Sequence, residues 1–74
     1  MKLRAVVARN LRVLRKHKGF TQEELAFRAG VNRNYVGQIE REEKSATVDI
    51  LEKLAMALEV EPVNLVTKSR KLTH

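Results

Sequence analysis

The chain predicts an all-α fold, a compact domain of five short helices, and three observations predict it. Apolar residues recur at three- and four-residue spacings along most of the sequence. No alternating run of useful strand length occurs. Pro62 is the sole proline, so no proline breaks the helical pattern before it. With 74 residues this is one small domain, able to bury only about 60% of the surface its unfolded chain exposes. There is no cysteine, which excludes disulfide staples, and no Cys/His grouping of the kind that holds zinc. Stability must come from helix packing, or partly from a partner subunit. An apolar content of 43% and a charged content of 32% fit a folded chain rather than a disordered one.

Each helix has its own signals. The first spans roughly residues 2 to 17, with Leu3, Val7, Leu11 and Leu14 as its apolar stripe and Arg9, Arg12 and Lys16 opposite. "HKGF" ends it: Gly19 supplies a left-handed position, and Phe20 can turn into the core. The second opens on "TQEE", where Thr21 and Glu24 have capping-box spacing. Leu25, Ala26 and Ala29 are its buried face, and Gly30 stops it after about eight residues. Asn32 then reads as the N-cap of a third helix running to about Glu40. "REEKSA" is a charged loop. Thr47 caps a fourth helix with Val48, Leu51, Leu54, Ala55 and Leu58 on its apolar side. Pro62 suits the first position of a short fifth helix near residues 62 to 67. Residues 1–67 make the domain, and 68–74 read as a basic, flexible tail.

Two short helices joined by a tight, glycine-containing turn describe a helix-turn-helix. Here they are the second and third helices, with Leu25, Ala26, Ala29, Val31, Val36 and Ile39 as the small or apolar positions. Ala26 must be small where the two helices cross, and Gly30 can take the positive φ that a sharp reversal needs. The stretch "LRVLRKHKGFTQEELAFRAGVNRNYVGQIEREEKSATVDILEKLAMALEVEPVNL" resembles the Cro/CI-type, or Xre, helix-turn-helix family, which has the fold of the lambda repressor's DNA-binding domain. The resemblance covers about residues 3 to 67. It is carried by "TQEELA", the "AGV" turn, "YVGQIE" and "LEKLAMALEV", in that order. "NRNYVGQIE" and the small size are also similar to controller proteins of restriction–modification systems. Many members of the family carry glycine where Glu42 and Glu59 stand. A non-glycine residue in a left-handed conformation costs on the order of 1 kcal/mol, so the loop and the last corner are places where this chain is expected to depart from the family.

The charge pattern points the same way. The net charge is +6. Residues 1–20 hold Lys2, Arg4, Arg9, Arg12, Arg15, Lys16 and Lys18 and no acid, every acid lies within residues 21–61, and Lys68, Arg70 and Lys71 follow. Such asymmetry suits a polyanionic partner. The three aromatics, Phe20, Phe27 and Tyr35, are too few for a base-stacking platform on single strands. No apolar run approaches the roughly 20 residues of a membrane span, and no signal-peptide core is present. A cytoplasmic protein without a membrane role is expected. His17 and His74 are far apart, and no nucleophile–base set, paired-carboxylate site or phosphate loop occurs. An enzyme is therefore not expected, nor any cofactor, metal or small-molecule ligand.

The resemblance implies a transcriptional regulator that places its third helix in the major groove of double-stranded DNA. On a helical projection Val36, Ile39 and Glu40 fall on one side, and Asn34, Gln38 and Arg41 on the other. Amides can donate to and accept from adenine, and arginine can fork onto guanine, so Arg33, Asn34 and Gln38 are the expected base readers. Gln22, at a helix N-terminus that favours phosphate, is the expected backbone contact, with Tyr35, Arg41 and Lys44. Glu23 and Glu24 would repel DNA and are expected to point away. Gly37 lies beside the polar face, where the missing side chain would let the helix approach the duplex. The family pairs the positions of Arg15 and Glu40 in a partly buried salt bridge. Leu65 can reach the core beside Leu54 and Leu58, which leaves Val63 and Val66 as an outward pair, extended by Leu72. That pair is the expected interface of a homodimer on a near-palindromic operator. The rival reading is a protein-binding adaptor or antitoxin-like module that reuses the helix-turn-helix core.

Overall fold

A computed structural model describes residues 2–68. Of the tail, only Lys68 is described; Arg70, Lys71 and Leu72 lie outside the described residues. The five helices are α1 (Leu3–Lys18), α2 (Gln22–Ala29), α3 (Tyr35–Glu40), α4 (Val48–Leu58) and α5 (Val63–Val66). No strand occurs among the described residues.

Local chemistry sets the helix ends. Gly19 takes φ 77° and closes α1, with its N–H and that of Phe20 bonded to the carbonyls of Lys16 and Arg15. Gly30 does the same for α2 at φ 72°, so the chain reverses within a few residues. Thr21 and Thr47 accept the backbone N–H groups of Glu24 and Ile50 at 3.0 and 3.1 Å, which starts α2 and α4. The Glu24 carboxylate is paired with Arg28 one turn on. Glu42 and Glu59 also take left-handed conformations, at φ 63° and 60°. The chain keeps both turns with a glutamate in place and bears the strain.

The third helix starts later than its N-cap signal suggests. Asn32 accepts the N–H of Asn34 through its side chain at 2.8 Å and that of Tyr35 through its carbonyl at 2.9 Å. It caps a turn over residues 32–35, and regular helix begins at Tyr35. Asn34 therefore sits at the helix entrance.

One core joins all five helices. Leu11, Leu25, Ala26, Val36, Ile39, Leu54, Ala55, Leu58 and Leu65 are wholly or almost wholly buried, with Val7 beside them. Two expected core residues lie outside it: Leu3 is 58% exposed and Val48 79% exposed. Both open their helices, where the first turn projects past its neighbours. Asn10 is buried instead, within the apolar stripe of α1. Its amide donates to the carbonyls of Leu65 and Thr67 at 3.1 and 2.9 Å. This ties the end of α5 to α1 and satisfies the polar group that burial would otherwise penalise.

Candidate nucleic-acid interface

Helices α2 and α3 pack on each other, and α3 also packs on α1. Val36 and Ile39 turn inward, so the other side of α3 faces out. There Asn32, Asn34, Tyr35, Gln38 and Lys44 line one open depression. The carbonyl of Gln38 also accepts the N–H groups of Glu43 and Lys44, at 2.8 and 3.3 Å, which folds the loop after α3 back toward this face.

The network behind the face holds α3 to the scaffold. Arg15 Nε donates to Glu40 Oε2 at 2.6 Å and Arg15 Nη2 to Oε1 at 3.1 Å. Arg15 Nη1 also donates to the carbonyl of Phe20 at 2.8 Å. Gln22 Nε2 donates to the same Glu40 Oε1 at 2.9 Å, and Arg12 reaches the Glu40 carbonyl at 3.3 Å. The side chains of Arg15 and Glu40 are 11% and 4% exposed. The carboxylate is thus buried but fully partnered, which is the condition for a buried charge to persist.

Gly37 is buried beneath two of the residues singled out by sequence. A Cβ there would stand 3.0 Å from Arg41 Nη1 and 3.0 Å from Gln22 Oε1. The absent side chain makes room for Gln22 and Arg41 to lie across α3. This is a packing role on the outward side of the helix. Gln22 keeps one amide hydrogen after its bond to Glu40.

The remaining candidates are also engaged. Arg33 and Arg41 are exposed and paired, Arg33 with Glu23, which thus turns toward an expected base reader and not away from it, and Arg41 with Glu43 at 2.9 Å. The hydrogen bond from Arg41 holds the Glu43 carboxyl below its usual range, and the same bond raises the Arg41 guanidinium. The Tyr35 hydroxyl donates to the Ser45 carbonyl at 3.2 Å. Val63 and Val66 do not make an equal outward pair: Val63 is 57% exposed, whereas Val66 is partly buried against the core. Sequence patterning does not single out Asn10 as a structural residue. An asparagine within the apolar stripe of α1 is the signal that could have found it.

Two short helices in contact, a left-handed glycine between them and an outward polar face on the second define a helix-turn-helix domain. A family model described as helix-turn-helix matches residues 11–65. The chain belongs to that family, the Xre type. It is 43% identical over 67 residues to the HTH-type transcriptional regulator y4dJ of Sinorhizobium fredii, covering 90% of this chain and 87% of that one. It is 47% identical over 58 residues to a hypothetical transcription factor of Neisseria meningitidis, covering 78% of this chain. The match spans 55% of the Neisseria protein's length. The fold also superposes on the restriction–modification controller protein C.AhdI of Aeromonas hydrophila with a TM-score of 0.81. That match has 42% identity and covers 84% of this chain and 94% of the other.

Proposed function

We propose that this chain is a sequence-specific, double-stranded DNA-binding transcriptional regulator that acts as a homodimer and lays α3 in the major groove. The observation that carries the reading is the outward depression shared by Asn32, Asn34, Tyr35, Gln38 and Lys44. It sets two amide heads suited to adenine edges beside a lysine suited to a phosphate. Asn34 and Gln38 read bases, and Arg33 joins them by leaving Glu23. Gln22, Tyr35, Arg41 and Lys44 hold the backbone. Gly37 keeps Gln22 and Arg41 low on the helix, so the duplex can come close. The relatives are named as transcriptional regulators and controller proteins, which supports the same class. Two copies related by two-fold symmetry would place their α3 helices about 34–36 Å apart, one turn of duplex.

The rival, a protein-binding adaptor, would show neither sequence preference nor salt dependence toward duplexes. The deciding experiment is selection of duplexes from a randomised pool, followed by affinity measurement across a salt series. The DNA reading requires an enriched sequence and steep salt dependence. A flat pool and salt-independent binding would reject it.

A further inference from the structure

We propose that Arg4 and Ser45 form a clamp that positions Lys44 to meet a phosphate, so that Arg4 acts through the loop and not on DNA directly. The assignment rests on the DNA reading given above. Arg4, in the first turn of α1, donates from Nε to Ser45 Oγ at 2.9 Å. Tyr35, at the start of α3, donates its hydroxyl to the Ser45 carbonyl at 3.2 Å. Ser45 is therefore held through side chain and backbone by two helices far apart in sequence. The preceding residue, Lys44, is held from the other side by its N–H bond to the Gln38 carbonyl, 3.3 Å long. The backbone is thus tied down on both sides of Lys44, and Lys44 borders the depression on α3.

Two features show why the loop needs such a clamp. Beneath it Leu3, Val7, Ile39 and Leu51 line an apolar hollow of about 140 Å³, rimmed by Arg4, Lys44, Ser45 and Ala46. The hollow opens to solvent beside Ala46, the loop residue that packs on the core, and residues 42–45 before it are exposed, so apolar packing holds little of this stretch. Glu42 in the same loop is left-handed at φ 63°, and its strain favours rearrangement. The polar contacts to Ser45 oppose both.

The test uses the duplex that the wild-type chain selects from a randomised pool. Ser45→Ala removes the acceptor without changing any charge, and Arg4→Gln removes the charged donor. Each should weaken binding about three- to tenfold, the effect of removing one hydrogen bond, with the fold retained and the melting temperature lowered by no more than about 4–8 °C. Ser45→Ala should also lower the salt slope, because an unclamped Lys44 no longer neutralises its phosphate. Ser45→Thr, which keeps the hydroxyl, should bind like wild type. In a Lys44→Ala background, Ser45→Ala and Arg4→Gln should have no further effect. Wild-type affinity in Ser45→Ala, or an Arg4→Gln effect that persists undiminished in the Lys44→Ala background, would overturn the clamp and leave the DNA reading standing. A wild type that selects no duplex would overturn both.

Discussion

Arg15 and Glu40 meet in a two-pronged ion pair, 2.6 Å and 3.1 Å between nitrogen and oxygen, behind the outward face of α3. Removing one member strands the other charge in the interior, at a cost of about 3–5 kcal/mol. Glu40→Ala should therefore consume much of the stability of so small a domain. Arg15→Met combined with Glu40→Leu should cost distinctly less, since no charge remains buried. Urea unfolding of the three proteins measures this. A single substitution milder than the double would contradict it.

The two left-handed glutamates separate strain from ion pairing. Glu42→Gly should stabilise the domain by roughly 0.5–1 kcal/mol through relief of φ strain. Glu59→Gly should gain less at neutral pH, because Lys18 Nζ donates to Glu59 Oε1 at 2.6 Å. That bond lowers the Glu59 carboxyl below its usual value. A lowered carboxylate stabilises the fold above its unfolded pKa and loses that contribution as pH falls through the folded one. The advantage of Glu59→Gly should therefore grow on acidification, and thermal melts across the acid range would show it. A constant difference would mean that the Lys18 pair contributes nothing.

Much of this architecture was legible in the sequence because its causes are local. Thr21, Thr47, Gly19 and Gly30 act on backbone groups within a few residues, and the helical period places Leu11, Leu25, Val36 and Leu54 inward. Failures came where long-range contacts decide. Leu3 and Val48 fit the period but lie at helix starts with little packed over them. Asn10 fits the period but not its polarity, and it is buried because its amide meets the carbonyls of Leu65 and Thr67. Of the expected contacts, Asn34, Tyr35, Gln38 and Lys44 were legible as residues that share one outward depression. The ties of Gln22 to Glu40, Arg41 to Glu43 and Tyr35 to Ser45 depend on the tertiary path, which no spacing encodes.

Arg41 must leave Glu43 to reach a phosphate. Glu43→Gln frees it and removes a negative charge near the duplex. Affinity for the selected site should rise about two- to fivefold at low salt, the scale of an exposed ion pair. Glu43 titrates below its usual range, so wild type stays ionised and the gap should hold constant from about pH 5 to 8. Binding assays at several pH values test this. A variant no tighter than wild type would remove Arg41 from the contact set.

Val63 is the outward apolar residue of α5, and we place it at the centre of the dimer contact. Sedimentation at micromolar concentration should show a dimer for wild type. Val63→Glu should give a folded monomer with poor affinity for a two-half-site duplex. Val66→Glu is a poorer probe, since Val66 packs against the core. A Val63→Glu protein that still dimerises would move the interface elsewhere.

The central claim is that the outward face of α3 reads bases in double-stranded DNA while the loop after it holds the backbone. Side-by-side binding of Gln38→Ala, Asn34→Ala and Lys44→Ala to the selected duplex and to random duplex tests this most directly. Gln38→Ala and Asn34→Ala should each cost about 1–3 kcal/mol on the selected site, relax its preferred base pairs and barely change random binding. Lys44→Ala should weaken both duplexes alike and reduce the salt slope by about 1. If both amide variants kept the wild-type base preference and affinity, the face would not be the reader and the account would be wrong.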